Sequence, residues 1–547
     1  MNFKPQILDK IKKLKANTGN NFLKNNLYGI EKEALRITQK GNLSVNSHPE
    51  ALGSKLTSEF ITTDYSESQL ELITPPKNTI EESVSYLEHL SYYVANNINK
   101  QMLWPCSMPC ILPNEKEIPI AHYGKSNQGK LKELYRTGLK YRYGKTMQMI
   151  SGVHFNFSFS QDFLSNYTKT INNQTINQEN INDIYINVSR NYLRYSWLIT
   201  YVFGASPIVT DKFLQNNSPS AFYLKPDPEN FKQSNEYFAP YGTSLRMSEL
   251  GYQNSLQSSN NVSFNSLDEY IKDFTNALST ENLDFKKIGV KTKNNKYLQI
   301  NSNNLQIENE LYNPIRLKSQ KNKNLSNLKN LYNHGIEYIE LRNIDVNPFS
   351  KQGFDVEQGY FLEIFLFFCT LIESPKFSSN KLELLEIKNN LSKITTFGLH
   401  EGLTIKYNNQ TIFLQDFIKD IFESLEIIAD FLDFISESET KNYSKIFNKY
   451  KKIIDNNETC SAKIIKQVYN KDSKTYNSFQ EFGLNLAQKY SYYFAHDCTK
   501  NLNSELLDII KQDTKNSLLK FQDINNQNQI SFDDFLIDFN KNQTNFN

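Results

Sequence analysis

The sequence has few cysteines, and their arrangement indicates neither a disulfide framework nor a zinc site. The five cysteines of this 547-residue chain are Cys106, Cys110, Cys369, Cys460 and Cys498, an odd number at scattered spacings. Secreted disulfide scaffolds use paired cysteines in short chains. Cys106 and Cys110 lie close together, but no second Cys/His pair of similar spacing completes a zinc site. We therefore interpret this pair as ordinary thiols.

The sequence also lacks a charge excess and a long hydrophobic run. Its 61 Lys and Arg against 59 Asp and Glu leave a net charge of +2, so nothing indicates nucleic acid or an anionic membrane as a partner. The longest apolar run, residues 360–372, carries Glu363 and is too short to span a bilayer, which predicts a buried helix. The first ten residues show no apolar signal region. We expect a cytoplasmic protein without a membrane partner.

A phosphate-binding loop of the Walker A type is missing as well. Residues 124–131 read Gly-Lys-Ser-Asn-Gln-Gly-Lys-Leu, which lacks the required Ser or Thr after Lys130. No apolar parallel strand precedes this stretch. Any bound ATP therefore needs another scheme.

What the chain does have is a large potential core and an order of strands followed by helices. Hydrophobic residues make up 39% of the sequence and aromatic residues 13%. Alternating patterns predict strands over 29–37, 69–74, 149–160, 297–308 and 335–345. Helical patterns cover 5–25, 79–99, 131–140, 184–204, most of 355–455, 478–495 and 502–522. No regular βαβ alternation appears, which favours an α+β fold with a mostly antiparallel sheet.

The remaining segments are predicted to be irregular. Asn-rich residues 166–184 indicate a surface insert, residues 209–240 a long loop, and the last ten residues a frayed end. We expect one catalytic domain over 1–547, with a sheet-containing core at about 25–350 and a helical portion at about 355–547.

The stretch Gly29–Ile37 carries two acidic residues where a structural strand usually has none. Read as a strand, it puts Glu31 and Glu33 on one face beside two aliphatic side chains, because side chains alternate. Like charges repel each other, and a divalent cation would cancel the repulsion. Taken alone, the pattern also fits an exposed edge strand of mixed charge.

Three other predicted strands repeat the pattern. Glu71 faces away from the leucines on either side of it, and His154 and Asn156 share the face opposite two phenylalanines. Glu340 and Arg342 share the face opposite their aliphatic neighbours. A sheet with helices on one side would collect these side chains, together with Glu31 and Glu33, in a polar cavity on the other side. Asp64, shortly before Glu71, is a further candidate.

Such a cavity favours hard cations. Four or five carboxylates with one histidine and few cysteines suit Mg²⁺, with Mn²⁺ as the alternative, rather than structural zinc. Arg246 and Arg342 suit the clamping of phosphate or carboxylate groups. Several Mg²⁺ ions together with arginine are typical of active sites that catalyse phosphoryl transfer. Each residue also has a plain interpretation, such as a solvated strand face or a structural histidine, and spacing alone leaves both open.

Long sequence motifs favour the functional interpretation. Several long motifs follow one another at the intervals of one family: Gly-Ile-Glu-Lys-Glu-Ala-Leu-Arg (29–36), Ile-Thr-Thr-Asp-Tyr-Ser-Glu-Ser-Gln-Leu-Glu-Leu-Ile-Thr-Pro (61–75), Trp-Pro-Cys-Ser-Met-Pro (104–109), Leu-Tyr-Arg-Thr-Gly-Leu-Lys-Tyr-Arg-Tyr-Gly (134–144), Ile-Ser-Gly-Val-His-Phe-Asn-Phe-Ser (150–158) and Gly-Ile-Glu-Tyr-Ile-Glu-Leu-Arg (335–342). The chain resembles the proteobacterial type of glutamate–cysteine ligase, closely over about 27–350 and more loosely after about 375.

The resemblance implies a glutamine-synthetase-like catalytic fold in which an antiparallel sheet forms a funnel. It implies ATP-dependent joining of the glutamate γ-carboxyl to the cysteine amine through a γ-glutamyl phosphate, the first step of glutathione biosynthesis. The implied partners are glutamate, cysteine and ATP, with Mg²⁺ as cofactor, and we expect a monomer.

The resemblance also implies roles for individual residues. The Mg²⁺ ligands of the family match Glu31, Glu33, Asp64, Glu71, His154 and Glu340. Its substrate-contacting positions match Tyr135, Arg136, Leu139, Gln148, Ile150, Asn156, Arg246, Tyr252, Asn309 and Tyr312. Arg342 matches the arginine that contacts the ATP phosphates, and Arg246 is expected to hold a glutamate carboxylate or the charge of the tetrahedral intermediate.

Three other functions remain open at this point. A related carboxylate–amine ligase with another amine acceptor would share the sheet and the metals. A non-catalytic binder of glutamate or nucleotide would be expected to lose some of the carboxylates, which are all present. A metal-dependent hydrolase would not need ATP.

Overall fold

The computed structural model describes residues 3–17, 25–215, 224–226, 235–252, 262–436, 440–469, 475–498 and 502–546. The strands are β1 (Leu27–Ile37), β2 (Ile61–Thr63), β3 (Gln69–Ile73), β4 (Met102–Leu103), β5 (Gly152–Ser158), β6 (Ile208–Thr210), β7 (Lys225–Pro226), β8 (Glu236–Phe238), β9 (Ile315–Lys318), β10 (Tyr338–Asp345), β11 (Thr404–Tyr407) and β12 (Gln410–Phe413).

Helices surround these strands. They are α1 (Lys4–Asn17), α2 (Ile80–Asn97), α3 (Asn127–Tyr143), α4 (Gln161–Ile171), α5 (Gln178–Tyr195), α6 (Trp197–Phe203), α7 (Asp211–Gln215), α8 (Leu267–Ser279), α9 (Leu283–Ile288), α10 (Asn327–His334), α11 (Val356–Leu371), α12 (Leu382–Phe397), α13 (Leu414–Ile435), α14 (Asn442–Asp455), α15 (Cys460–Tyr469), α16 (Phe479–Tyr492), α17 (Ser504–Asn526) and α18 (Phe532–Gln543). Within the described part of the chain, no helix has both the length and the apolar character needed to cross a membrane.

The main sheet is antiparallel throughout. Its strand order is β2-β3-β1-β5-β10-β9, and β4 pairs with the end of β1. Two smaller sheets are β6-β8-β7 and the β11-β12 hairpin. This architecture agrees with the predicted α+β class.

One face of the main sheet carries the hydrophobic core. Every second residue of its central strands is fully buried there, for example Ile30, Phe155 and Leu341. Helices α2, α5 and α6 pack against this side, α11 packs against α2 and α5, and α13 packs against α11. The alternate residues consequently point to the opposite face, which is where the polar side chains collect.

The predicted buried helix is α11, whose residues from Phe361 to Leu371 are all buried. It contains Glu363, which has no exposed surface and accepts hydrogen bonds from three side chains. The donors are Tyr28 at 2.7 Å, Asn26 at 2.9 Å and Tyr443 at 2.9 Å. The carboxyl is therefore fully satisfied inside an otherwise apolar core.

The predicted strand over 297–308 is wrong. These residues form no strand ladder and take part only in two isolated bridges, Tyr297 with Lys291 and Asn303 with Glu281. Side-chain amides take up the backbone groups instead: Gln299 donates to the Phe285 carbonyl at 2.7 Å, and Gln306 accepts from the Ile300 amide at 3.0 Å. Local bonds of this kind compete with a ladder.

The predicted start of α3 also differs from the structure, and α1 is described over only part of its predicted range. Helix α3 begins at Asn127 rather than near residue 131, because the Ser126 hydroxyl caps it by accepting from the Gly129 amide at 3.1 Å. Helix α1 ends at Asn17, and residues 18–24 of the predicted helix lie outside the described residues.

The segments predicted to be irregular contain more structure than expected. Helices α4 and α5 occupy most of 166–184, because their apolar residues recur at helical spacing and are buried. The segment 209–240 contributes to the β6-β8-β7 sheet, with 216–223 and 227–234 outside the described residues. The C-terminal end forms α18, whose Leu536 is buried.

Candidate active site

The polar face of the main sheet opens into a cavity of about 430 Å³, called here the wide lobe. Strands β1, β3, β5 and β10 each contribute to it. The acidic, basic and imidazole side chains from these strands that line it are Glu31, Glu33, Glu71, His154, Glu340 and Arg342. Asp64 joins them from the turn after β2.

A second cavity of about 100 Å³, the narrow lobe, adjoins the first. Nine of the ten predicted substrate positions line it: Tyr135, Arg136, Leu139, Gln148, Ile150, Arg246, Tyr252, Asn309 and Tyr312. Glu33, Asp64, His154 and Arg342 line both lobes. The lobes therefore meet where the acidic residues are concentrated.

The tenth position, Asn156, opens elsewhere. It lines a third cavity of about 180 Å³, together with Gly29, Pro76 and Tyr338, and Glu31 borders both this cavity and the wide lobe. The Asn156 amide donates to Glu31 at 2.9 Å. It thus lies beside the carboxylate cluster but on the side away from the narrow lobe.

The three cavities follow one another along the strands. On β10 the narrow lobe reaches Arg342, the wide lobe Glu340 and the third cavity Tyr338. Residues two apart on one face are about 7 Å apart, so Arg342 and Tyr338 are about 14 Å apart. The site is an elongated trough with carboxylates in the middle.

Glu31, His154 and Glu340 form the tightest cluster in the described part of the chain. One ligand atom from each lies within 4.8 Å of the others. The His154 Nδ1 atom is 3.2 Å from Glu31 Oε2 and 3.3 Å from Glu340 Oε1. Glu31 and His154 are direct partners in the register of β1 and β5, which explains why they meet. The set offers two carboxylates and one imidazole to a single cation.

Glu33 and Glu71 face each other across β1 and β3. Burial, followed by the neighbouring charge of Asp64, raises the pKa of Glu33 to about 7. Burial, with the charges of Glu31, Asp64 and Glu33, raises the pKa of Glu71 well above its ordinary value. Like charges directly opposite on a sheet are destabilising. A bound divalent cation removes this repulsion, and oxygen-rich groups of this kind suit Mg²⁺ or Mn²⁺.

Basic side chains hold the Glu340 carboxylate in its charged form. Burial opposes ionisation of Glu340, but the charges of Lys318 and Arg342 outweigh it and lower the pKa. The Lys318 Nζ atom lies 3.3 Å from Glu340 Oε2, and Arg342 Nε lies 3.8 Å from Glu340 Oε1. Arg342 Nε and Nη1 are buried and have no hydrogen-bond partner among the described residues. These donors are available to an anion in the trough.

Arg246 is fixed at the floor of the narrow lobe. Its Nη2 donates to the Arg342 carbonyl at 2.8 Å, and its Nη1 lies 3.8 Å from Asp345 Oδ1. Asp345 also accepts from Ser206 at 2.6 Å and from Ser244 at 3.0 Å. A register shift in β10 between Leu341 and Ile344 accompanies this arrangement. Asp345 therefore ties the end of the strand to the loops that carry Arg246.

Gly152 allows Arg246 to approach β5 closely. A Cβ at this position would lie 2.1 Å from Arg246 Nη2. The Gly152 amide also donates to Glu33 Oε2 at 2.7 Å. The glycine of the Ile-Ser-Gly-Val-His motif thus contacts two functional side chains: its amide binds Glu33, and its lack of a Cβ leaves room for Arg246.

Arg136 lines both lobes, but its nitrogens are occupied. It donates to the Asp64 carbonyl through Nε, to the Lys132 carbonyl at 2.9 Å and to the Thr63 carbonyl at 3.2 Å. These bonds hold the turn that presents Asp64. Arg136 therefore holds part of the cavity wall in place. Its predicted contact with the substrate stays a prediction.

The sequence reasoning missed three basic residues of the wide lobe, Lys132 of α3 and two residues of β9. Arg316 and Lys318 lie on β9, opposite Glu340 and Tyr338 of β10. They alternate with buried Ile315 and Leu317. The alternation that identified the other strands was present here as well, but four residues are too short to stand out. Helix α18 supplies Phe539 and Gln543 to the same lobe, which no local pattern indicated.

Comparison with known proteins places this geometry in context. A family model described as glutamate-cysteine ligase matches residues 11–394. The glutamate–cysteine ligase of Shewanella pealeana is 41% identical over 522 residues, which are 95% of this chain and 96% of the relative. That of Wigglesworthia glossinidia brevipalpis is 42% identical over 450 residues, covering 82% of this chain and 86% of the relative.

Solved structures show the same relationship. The glutamate–cysteine ligase of Francisella tularensis in complex with AMP matches with a TM-score of 0.85 at 32% identity, covering 96% of this chain and 99% of that one. A bifunctional glutathione synthetase from Pasteurella multocida shares the fold, with a TM-score of 0.64 at 23% identity over 92% of this chain and 57% of that one. The predicted fold is confirmed.

Proposed function

The chain belongs to the glutamate–cysteine ligase family, and we propose on that premise that it joins the γ-carboxyl of glutamate to the amine of cysteine at the expense of ATP. The reaction is the first step of glutathione biosynthesis. The observation that carries the proposal is the junction of the two lobes, where carboxylates and Arg342 lie between a small amino-acid-sized cavity and a larger one.

Mg²⁺ fits the residues at this junction. Glu31, His154 and Glu340 bring three ligand atoms together, and Glu33 and Glu71 crowd two more carboxylates opposite each other. The predicted ligand set is completed by Asp64. When bound, Mg²⁺ supplies positive charge that offsets the carboxylates and the phosphates of ATP. Mn²⁺ has the same ligand preference and is the alternative.

The trough suits an extended nucleotide. Arg342, with its unpaired buried donors, is proposed to bind the transferred phosphate, with Lys318 and Arg316 beside it in the wide lobe. The base is proposed to occupy the third cavity near Tyr338, about 14 Å from Arg342 along β10. That span is comparable to the length of extended ATP from γ-phosphate to base. The complex of the Francisella relative with AMP supports a nucleotide in this family.

The amino acids are proposed to bind in and beside the narrow lobe. Tyr252 and Tyr312 form one wall, with their ring centroids 5.1 Å apart and their planes tilted by 52°, and Gln148 donates to the Tyr312 hydroxyl at 3.3 Å. The Tyr252 hydroxyl is buried without a hydrogen-bond partner in the described ranges, which leaves it for a ligand. Arg246 at the floor is proposed to bind a carboxylate of glutamate.

The chemistry then has two steps. The γ-carboxylate of glutamate attacks the γ-phosphorus of ATP, giving γ-glutamyl phosphate and ADP, while Arg342 stabilises charge on the transferred group. The cysteine amine next attacks the acyl carbon, and phosphate leaves. Arg246 is proposed to stabilise the tetrahedral intermediate from the narrow lobe. Arg246 is preorganised by the Arg342 carbonyl and Asp345, which reduces reorganisation during reaction.

Three further expectations remain proposals. The described residues act as one catalytic unit, which the packing of the helices after residue 355 against the sheet supports. The protein works in the cytoplasm. We also propose that it acts as a monomer.

Steady-state assays test the function. Purified protein with Mg²⁺, ATP and glutamate should form γ-glutamylcysteine when cysteine is added. It should release ADP at turnover rates only in the presence of cysteine. Glu31→Gln should abolish turnover and keep the fold, whereas the exposed Glu50→Gln should retain activity. Turnover with another amine and none with cysteine would instead identify a ligase with a different acceptor.

A further inference from the structure

Helix α18 forms part of the wall of the wide lobe. Phe539 and Gln543, one helical turn apart, both line the cavity and are half-buried. Leu131 and Lys132 of α3 line the lobe beside them, so this wall comes from helices and not from the sheet. Helix α18 lies beyond residue 394, where the match to the family model ends.

The helix is fixed in place at several points. Leu536 is buried against Leu134 and Ile300. The Gln543 side-chain amide donates to the Gln306 carbonyl at 3.1 Å, and Asn540 accepts from Asn301 at 2.9 Å. These contacts hold the cavity-facing side of α18 in a defined orientation.

The reaction needs such a wall. An acyl phosphate is open to water, whose oxygen can attack the acyl carbon, break the carbon–oxygen bond and release glutamate and phosphate without forming a peptide. Exclusion of water from an active site suppresses this side reaction. The phenyl ring of Phe539 adds apolar surface to the lining of the wide lobe, beside Leu131 and the other aliphatic residues there, and it offers water no hydrogen bond.

We propose that α18 closes the wide lobe against water and thereby couples ATP consumption to peptide formation, with Phe539 as the shielding group and Gln543 as the residue that holds the helix end. The inference rests on the proposed function and adds a role for the C-terminal helix. Phe539 and Gln543 act by position and do not take part in bond making.

The test is the coupling ratio, measured with Phe539→Ala and with the matched variant Ile537→Ala. Ile537 lies on the same helix and is 65% exposed, so its truncation leaves the cavity unchanged. Phe539→Ala is expected to raise glutamate-dependent ADP release in the absence of cysteine about tenfold, equivalent to ~1.4 kcal/mol in the barrier. With cysteine present, more ADP than γ-glutamylcysteine should form. Ile537→Ala should match the parent protein.

The other outcomes are also decisive. If Phe539→Ala lowers peptide formation but leaves the ratio of ADP to peptide unchanged, the helix is structural and the proposal is wrong. Gln543→Ala is a second test. We expect a smaller rise in uncoupled ADP release, and the absence of any rise would contradict the proposal. Failure of the parent protein to use cysteine at all would overturn the proposed function instead, and is seen in the same assay before any variant is compared.

Discussion

At the scale of single residues, the site is built from groups that destabilise one another until a ligand arrives. Glu33 and Glu71 face each other as direct partners in the sheet, and Asp64 lies nearby. Burial raises the pKa of all three carboxyls. The motifs identified these residues, but their mutual pairing depends on strand register, which the sequence alone does not give.

Neutralising one of these carboxylates should therefore stabilise the metal-free protein. Glu71→Gln removes a charge that repels three neighbours, and we expect the free energy of unfolding at pH 8 in EDTA to rise by about 1–2 kcal/mol. The same variant should gain less than the parent protein from added Mg²⁺. Thermal unfolding with EDTA and with Mg²⁺ measures both effects, and Glu50→Gln is the control. A lower melting temperature in EDTA would contradict the repulsion argument.

A single methyl group at Gly152 should disturb two functional side chains. The added Cβ would collide with Arg246, and the adjacent amide binds Glu33. We expect Gly152→Ala to lower kcat/KM for glutamate at least about a hundredfold, since small displacements in a preorganised site cost that much. Gly402→Ala is the matched control, because its nearest neighbour would lie at an ordinary 3.4 Å. Near-parent activity of Gly152→Ala would show that Arg246 needs no such approach.

At the scale of secondary-structure elements, alternation predicted the strands that matter. Strands β1, β3, β5 and β10 each combine an apolar and a polar face, and each contributes to the trough. The same rule failed for 297–308, where side-chain amides replace a ladder, and was not applied to the four residues of β9. A short strand differs from an amide-rich loop in whether a distant strand pairs with it. A local sequence pattern does not contain that information.

Strand β9 yields a prediction of its own. Lys318 is 3.3 Å from Glu340 and faces the wide lobe, where ATP phosphates are proposed to bind. Lys318→Met keeps most of the side-chain volume and removes the charge. We expect KM for ATP to rise about tenfold or more, because a hydrogen bond to a charged group contributes about 1.5–3 kcal/mol. KM for cysteine should change little, and the exposed Lys321→Met should leave both constants unchanged. An equal rise in both KM values would argue against a phosphate contact.

At the scale of the whole molecule, the sheet separates an apolar core from a charged trough. Family, fold and reaction were all predictable from long motifs in order, and the relatives confirm them. What the sequence did not reveal is how distant parts close the trough. Helix α18 reaches the cavity through tertiary packing that leaves no local signal in the chain, and the alternation in β9 is too short to stand out.

The core behind the sheet should make stability depend on pH. Burial raises the pKa of Glu363 to about 7, against an ordinary value of 4.5, although Tyr28, Tyr443 and Asn26 donate to it. A raised pKa in the folded state means that this carboxyl favours folding most below about pH 4.5 and loses that contribution as the pH rises through 7.

Glu363→Gln should remove this dependence. We expect the melting temperature of the variant to fall less between pH 5.5 and 8 than that of the parent protein, with a difference in the free energy of unfolding on the order of 2 kcal/mol over that range. Glu373→Gln, an exposed change just after the same helix, should follow the parent curve. Parallel curves for Glu363→Gln and the parent would show that the buried carboxyl does not titrate in this range.

The proposed reaction depends on transfer of the γ-phosphoryl group of ATP to the γ-carboxyl of glutamate at the junction of the two lobes. Isotope transfer tests it most directly, using glutamate whose γ-carboxyl oxygens are both ¹⁸O. One ¹⁸O atom should appear in the released phosphate for each γ-glutamylcysteine formed, and the label should stay in glutamate when ATP is omitted. Peptide formation with unlabelled phosphate would rule out an acyl phosphate intermediate.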